Sequence, residues 1–174
     1  MERRSFLAGL CMVVPSLSFA APRLQFSSID GGQIDFDAWQ GRPVLVVNTA
    51  SRCAFTKQYD ALQALYDRYR ARGLVVLAVP SQDFRQELGD NAAVKEFCEL
   101  NFNLDMPMTE ITSVKGPQAH PFYAWVRQET GFVPEWNFNK VLIDPDGAVA
   151  ATWRSRVRPL SGEITKKIEA MLPA

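Results

Sequence analysis

Apolar residues alternate, run together or recur every three to four positions along this chain, and each pattern predicts an element. "LQFSSIDGGQIDFDAW" alternates on both sides of Asp30-Gly31-Gly32, the signature of a β-hairpin. "VLVVNTA" is an unbroken β-branched and apolar run, which suits a central strand buried on both faces. Tyr59, Leu62, Leu65, Tyr66 and Tyr69 then recur at helical spacing, and Gly73 closes that helix before a second buried strand, "LVVLAVP". After the loop "SQDFRQELGDN", short helices are predicted over Ala92 to Asn101 and over Pro121 to Gln128. "NKVLIDPDGAVAATWR" reads as strand, turn and strand. Ser161 is placed as the cap of a last helix to Met171, with Ile164, Ile168 and Met171 on one face. The order hairpin, β, α, β, α, α, β, β, α predicts one α/β sandwich, a mixed central sheet flanked by helices.

Composition narrows the function classes. The 174 residues suffice for one domain with a real core, and 47% of them are hydrophobic. Lys plus Arg equals Asp plus Glu at 19 each, so nothing points to nucleic acid or an anionic membrane surface. One His is too few for a multi-histidine metal site, and Cys11, Cys53 and Cys98 form no C-x-x-C pair. No metal or other cofactor is implied.

The start of the chain predicts a targeting segment rather than part of the fold. Arg3 and Arg4 precede an apolar run from Phe6 to Val14, too short to span a bilayer. Ser18 and Ala20 are small residues suited to cleavage after Ala20. "RRSFL" resembles the twin-arginine export signature. The expectation is a signal peptide over residues 1–20, a mature domain over 21–174, and an exported, periplasmic protein. The alternatives are an uncleaved apolar helix or a lipid anchor on Cys11, against which the preceding Leu10 and the early position argue.

Cys53 carries the candidate chemistry. It falls between a buried strand and a helix predicted to start near Thr56, where unpaired N–H groups and the helix dipole favour a thiolate. Arg52 and Lys57 push the same way. A thiolate is the nucleophile in attack on peroxides and disulfides; the competing reading is a buried loop cysteine. Thr56 replaces the second Cys of a thioredoxin motif, and Ala50 and Val46 depart from the peroxiredoxin pattern P-x-x-x-T-x-x-C.

"VLVVNTASRCAFTKQYDALQALYDRYRARGLVVLAVP" resembles the core of the glutathione peroxidase family, with cysteine at the nucleophile position. "GPQAHPFYAW" and "PEWNFNKVLIDPDG" match two further family segments in order, so the resemblance spans Leu24 to the C-terminus. It implies a thioredoxin-like fold and thiol peroxidase activity, with Trp136 and Asn137 as neutral donors beside the sulfur. The family loop P-C-N-Q-F-G-x-Q-E-P-G reads "PSQDFRQELG" here, one residue shorter, with Leu88 in place of Pro. Aligned on Phe84, Asp83 occupies the glutamine position, as in a bacterial subgroup reading P-S-N-D-F. An ionised Asp83 near the sulfur would oppose catalysis. It must be protonated, turned away, or replaced by Gln82 or Gln86.

Cys98 falls where thioredoxin-dependent members carry a resolving cysteine; the alternative is an inert thiol packed near Val94 and Phe97. His120, before Pro121, reads as a structural cap. The resemblance implies a hydroperoxide substrate and, as reductant, a thioredoxin-like protein or glutathione, the Cys53/Cys98 pair favouring the former. The short "VRQETGFVPEW" link lacks the insertion that resembles an oligomer loop, so a monomer is expected. The alternative function is a low-turnover redox sensor or disulfide-transfer protein on the same fold.

Overall fold

A computed structural model describes residues 24–173. The predicted signal segment lies outside these residues. Strands β1 (Gln25–Ser27) and β2 (Gln33–Asp35) form the antiparallel N-terminal hairpin. Then come β3 (Val44–Thr49), α1 (Gln58–Tyr69), β4 (Val75–Pro80), α2 (Asn91–Phe102), α3 (Pro121–Thr130), β5 (Lys140–Ile143), β6 (Val149–Trp153) and α4 (Gly162–Glu169). The main sheet has the order β4-β3-β5-β6, with β3 and β4 parallel and the other neighbours antiparallel.

The two apolar runs are the two central strands, and every residue of β3 and β4 is buried. Their side chains divide by the period-two rule between two cores. Leu45, Val47, Val76, Ala78 and Leu142 face Tyr59, Leu62 and Leu65 of α1, Val94 and Cys98 of α2, and Ile164 and Ile168 of α4. Val44, Val46, Val75, Leu77 and Val79 face Phe122 and Val126 of α3 and Phe26 and Ile34 of the hairpin. A one-residue slip of either strand would exchange these sets, so burial on both faces pins the register. The outer edge of β4 is covered where Ala78 exchanges backbone hydrogen bonds with Pro107 and Thr109.

Three local differences from the sequence reading have clear causes. Helix α1 begins at Gln58, because residues 53–58 are first taken up by tight turns. Asp90 caps α2, accepting from the Ala93 amide at 2.9 Å, so that helix starts at Asn91. Ser161 is the residue before α4, but its hydroxyl is buried without a partner and makes no cap bond.

His120 is the cap it was read to be. Its Nδ1 accepts the Phe122 amide at 3.2 Å, its Nε2 lies 2.9 Å from the Gln25 carbonyl, and its ring stacks on Phe26 at 3.8 Å. Both contacts are met by one neutral tautomer, with the proton on Nε2. Burial lowers the imidazole pKa below its ordinary value. A depressed folded pKa means the contribution is complete above the unfolded value of about 6.5 and is lost as pH falls through the folded value. Urea unfolding should therefore show stability falling from pH 7.5 to pH 5, and His120→Gln should flatten the part of that fall due to this ring. An unchanged slope in the variant would remove His120 from the acid response.

Candidate active site

The Cys53 loop is built on the C-terminal end of β3. The Cys53 amide donates to Thr56 Oγ1 at 3.0 Å, and that hydroxyl donates to the Ala50 carbonyl at 2.8 Å. The Thr56 amide returns to the Cys53 carbonyl at 3.0 Å. These bonds fold residues 50–56 into a closed turn that holds Cys53 nearly enclosed, the residue being 9% exposed. The Phe55 amide points at Sγ from 3.4 Å, a donor to a thiolate supplied by the turn rather than by the helix itself. A cleft of about 650 Å³ opens beside this turn, bordered by Phe55, Gln58 and the cations Lys57, Arg156 and Arg158.

Two other segments are laced to the turn. From the loop after β4, the Gln86 carbonyl accepts the Arg52 amide at 2.8 Å, and Glu87 Oε1 accepts the Ser51 amide at 3.0 Å. From the segment before β5, Asn137 Nδ2 donates to Gln86 Oε1 at 2.9 Å. Gln86 is thus the glutamine joined both to the Cys53 turn and to Asn137. Asn137 is fully buried, and its Oδ1 has no hydrogen-bond partner.

Asp83 is turned away. Its Oδ2 accepts the amides of Val114 and Lys115 at 2.6 and 3.0 Å, making it a staple for the 113–116 loop. Arg85 separates Asp83 from Gln86 with a left-handed φ of 57°. The family loop has glycine after its phenylalanine; here a non-glycine residue takes that conformation at a cost of about 1–2 kcal/mol. Gln82 bonds within its own loop, with Nε2 on the Glu87 carbonyl and Oε1 on the Glu87 amide. Of the three candidates to replace the family glutamine, only Gln86 is bonded to Asn137.

Trp136 is 41% exposed, so its ring is not a core aromatic; it packs against Phe84 with centroids 5.6 Å apart. Its carbonyl accepts the Asn48 side-chain amide at 2.9 Å, while Asn48 Oδ1 accepts the Asn139 amide at 3.0 Å. Phe138, between them, has φ 61° and is wholly buried against Tyr59. That left-handed turn lets Trp136 reach the surface while Asn139 and Lys140 enter the sheet.

Cys98 lies on the core face of α2, 1% exposed, and burial pushes its thiol up to about 12. The Tyr59 hydroxyl is near enough to influence that sulfur, but is buried without a closed hydrogen bond. Both thiols are free, and both belong to the same core cluster.

The sequence reading missed Asn48, Glu87, Lys140 and Ser155, which build the site's floor. Lys140 is fully buried, donates to Gln58 Oε1 and the Val157 carbonyl at 2.6 Å each, and is lowered to about 7 by desolvation. Ser155 Oγ donates to the Asn137 carbonyl at 2.6 Å. The signal was present: Asn48 and Lys140 are polar residues inside runs otherwise fit for a buried strand, and such residues need internal partners.

The glutathione peroxidase family model matches residues 23–127. The glutathione peroxidase-like peroxiredoxin GPX5 of Chlamydomonas reinhardtii is 39% identical over 156 residues, covering 87% of this chain and 95% of that one. The chain belongs to the glutathione peroxidase family. It is accordingly a peroxidase, an oxidoreductase that reduces a hydroperoxide. Among solved structures, apo Trgpx matches with a TM-score of 0.68 at 29% identity, over 86% of this chain and 93% of that one. The thioredoxin domain of a Bacteroides vulgatus thiol-disulfide oxidoreductase matches with a TM-score of 0.60 at 17% identity, over 88% and 95%. That likeness concerns the fold alone, which is thioredoxin-like.

Proposed function

We propose that Cys53 is the nucleophile of a two-cysteine thiol peroxidase, with Asn137, Trp136 and Gln86 around the reacting atoms and Cys98 as the resolving thiol. The observation that carries this reading is the chain of bonds from the Arg52 amide through Gln86 to Asn137, which gathers neutral donors at the Cys53 turn. The Cys53 thiolate attacks one peroxide oxygen, forming an S–O bond as the O–O bond breaks. The departing alkoxide or hydroxide takes a proton and leaves as alcohol or water. Neutral amide and indole N–H groups stabilise that charge without competing for the proton. Cys98 then attacks the sulfenic sulfur, water leaves, and a Cys53–Cys98 disulfide forms. A thioredoxin-like protein restores both thiols by exchange. The basic border of the adjoining cleft favours the approach of anionic hydroperoxides and acidic reductant surfaces. The working unit is a monomer.

The test is intact-mass analysis over increasing peroxide beside a turnover assay. Wild type should form the disulfide at one equivalent. Cys98→Ser should still consume the first equivalent, then climb to sulfinic acid and lose turnover with a thioredoxin-type donor. Wild-type turnover in that variant, with no disulfide in the parent, makes Cys98 a packing residue. A disulfide that forms with negligible turnover instead favours a sensor or disulfide-transfer protein.

Gln86 in the family glutamine's role and Asp83 as a staple separate cleanly by mutation. Gln86→Ala should slow Cys53 oxidation by about 10²-fold in stopped flow, the size of one lost donor to developing charge. Asp83→Ala should leave that rate within about threefold and instead cost about 1–3 kcal/mol of stability, because two loop amides lose their acceptor. The reverse pattern would restore Asp83 to the catalytic position.

Export to the periplasm is proposed from the arginine pair, the short apolar run and the small residues at positions 18 and 20. N-terminal sequencing should find the mature chain starting at Ala21; an intact Met1 on the cytoplasmic protein refutes the leader.

A further inference from the structure

Glu87 is bonded to the Cys53 turn, acts electrostatically on Cys98 and is 3% exposed. Its Oε1 carries two bonds, to the Ser51 amide at 3.0 Å and to the Leu88 amide at 2.8 Å. Ser51 lies two residues before Cys53, and Leu88 lies two before Asp90, the cap of the helix that bears Cys98. One carboxylate oxygen therefore ties the root of α2 to the nucleophile's turn. Its Oε2 is enclosed and has no donor in bonding geometry. The Ser51 hydroxyl beside it is enclosed too and closes no bond in good geometry, although it lies near enough to favour the carboxylate.

The charged and titratable groups around Glu87 do little to offset this. Burial raises the carboxyl pKa and outweighs the Ser51 hydroxyl, the Leu88 and Ser51 amides and Arg52, all of which favour the carboxylate. Tyr59 of α1 and Cys98 of α2 both feel the Glu87 charge, which disfavours their ionisation; Glu99 on α2 acts on Cys98 in the same sense. An ionised carboxylate with one oxygen short of a well-formed hydrogen bond in such a place costs the closed state free energy that it recovers in water. Disulfide formation requires Cys98 to leave its core position, so local opening of α2 is part of the resolving step.

We infer that Glu87 is a positioning residue for the resolving step: its enclosed, half-partnered carboxylate loosens the tie between α2 and the Cys53 turn when ionised, releasing Cys98 toward Cys53. The inference rests on the resolving role proposed for Cys98. The sign follows from the direction of the shift. A carboxyl raised in the closed form stabilises closure fully below the ordinary carboxylate range of about 4.3, and that stability is lost as pH rises through the raised value. Opening therefore increases with pH across this window, by up to about tenfold per pH unit, and levels off above it.

Glu87→Gln keeps an oxygen for both amides and places a neutral NH₂ where Oε2 lies, toward the Ser51 hydroxyl. Hydrogen exchange of the α2 amides in the reduced full chain, corrected for intrinsic rates, reads the opening directly. In a Cys53→Ser background, alkylation of Cys98 by N-ethylmaleimide reads it at the thiol. At pH 7 the parent should open about tenfold more than Glu87→Gln on both readouts, and the two should converge near pH 4 in exchange. Glu87→Ala, which loses the amide acceptor as well, should open more than Glu87→Gln at every pH. Equal exchange in parent and Glu87→Gln at pH 7 overturns the inference, as does a disulfide that forms equally fast in both. An exchange difference in a wild type that forms no disulfide under peroxide overturns the role of Cys98 instead.

Discussion

The site depends on one buried amide. Asn48 sits at the end of β3 with its side chain enclosed, and both ends of its amide are committed to the segment before β5. Those bonds clamp the turn that puts Trp136 at the surface and Asn137 against Gln86. An amide left unpaired at such depth costs about 1–3 kcal/mol, so the geometry is strongly preferred over any in which Trp136 and Asn137 drift. Residues from three segments far apart in the chain meet at the Cys53 turn because β3 supplies both that turn and the anchor for the segment before β5.

The two cysteines occupy environments suited to different steps. Cys53 lies on a turn with an amide aimed at its sulfur, and the residues after it, Ala54, Phe55 and Lys57, border a basic cleft. Cys98 is packed inside α2 with its ionisation suppressed by burial. A thiol in that state is a poor nucleophile and resists direct oxidation, because reactivity follows the thiolate. The closed fold thus withholds Cys98 from peroxide. With Cys98 in the proposed resolving role, the second step needs α2 to open against the capping bond at Asp90 and the bonds of Glu87.

Much of this was legible in the sequence because the relevant signals are local. The β-branched runs of β3 and β4, the hairpin at Asp30-Gly31-Gly32 and the helical spacing of α1 each declare an element within a few residues. The Cys53 position was readable for the same reason, whereas Trp136 and Asn137 were singled out by the family resemblance of "PEWNFNKVLIDPDG". What was not readable is pairing at a distance. Whether Asp83, Gln82 or Gln86 faces Asn137 is decided by the left-handed conformation at Arg85 and by two amides at positions 114 and 115. Neither leaves a mark in the loop's own sequence. Likewise the delayed start of α1 comes from the Thr56 hydroxyl bonding back to Ala50, a choice between turn and helix that propensity leaves open.

Lys140 shows what such a site demands of the core beneath it. A buried ammonium is ordinarily matched by a carboxylate, yet all three of its acceptors are neutral: Gln58 Oε1 and the carbonyls of Ser155 and Val157. Filling this position with an apolar residue would remove a desolvation cost, but would take the Lys140 donor from Gln58 Oε1 and the Val157 carbonyl, while the Ser155 carbonyl keeps Gln58 Nε2 at 2.7 Å. Gln58 begins α1 and Ser155 bonds Asn137, so the ammonium spans both sides of the Cys53 turn. Burial holds the Lys140 pKa down at about 7, so an anion nearby would favour its charged form. The thiolate and the oxygen leaving the peroxide are the anions the chemistry creates there. The polar floor is therefore costly in the resting fold and best matched at the moment of reaction, as an electrostatically preorganised site requires.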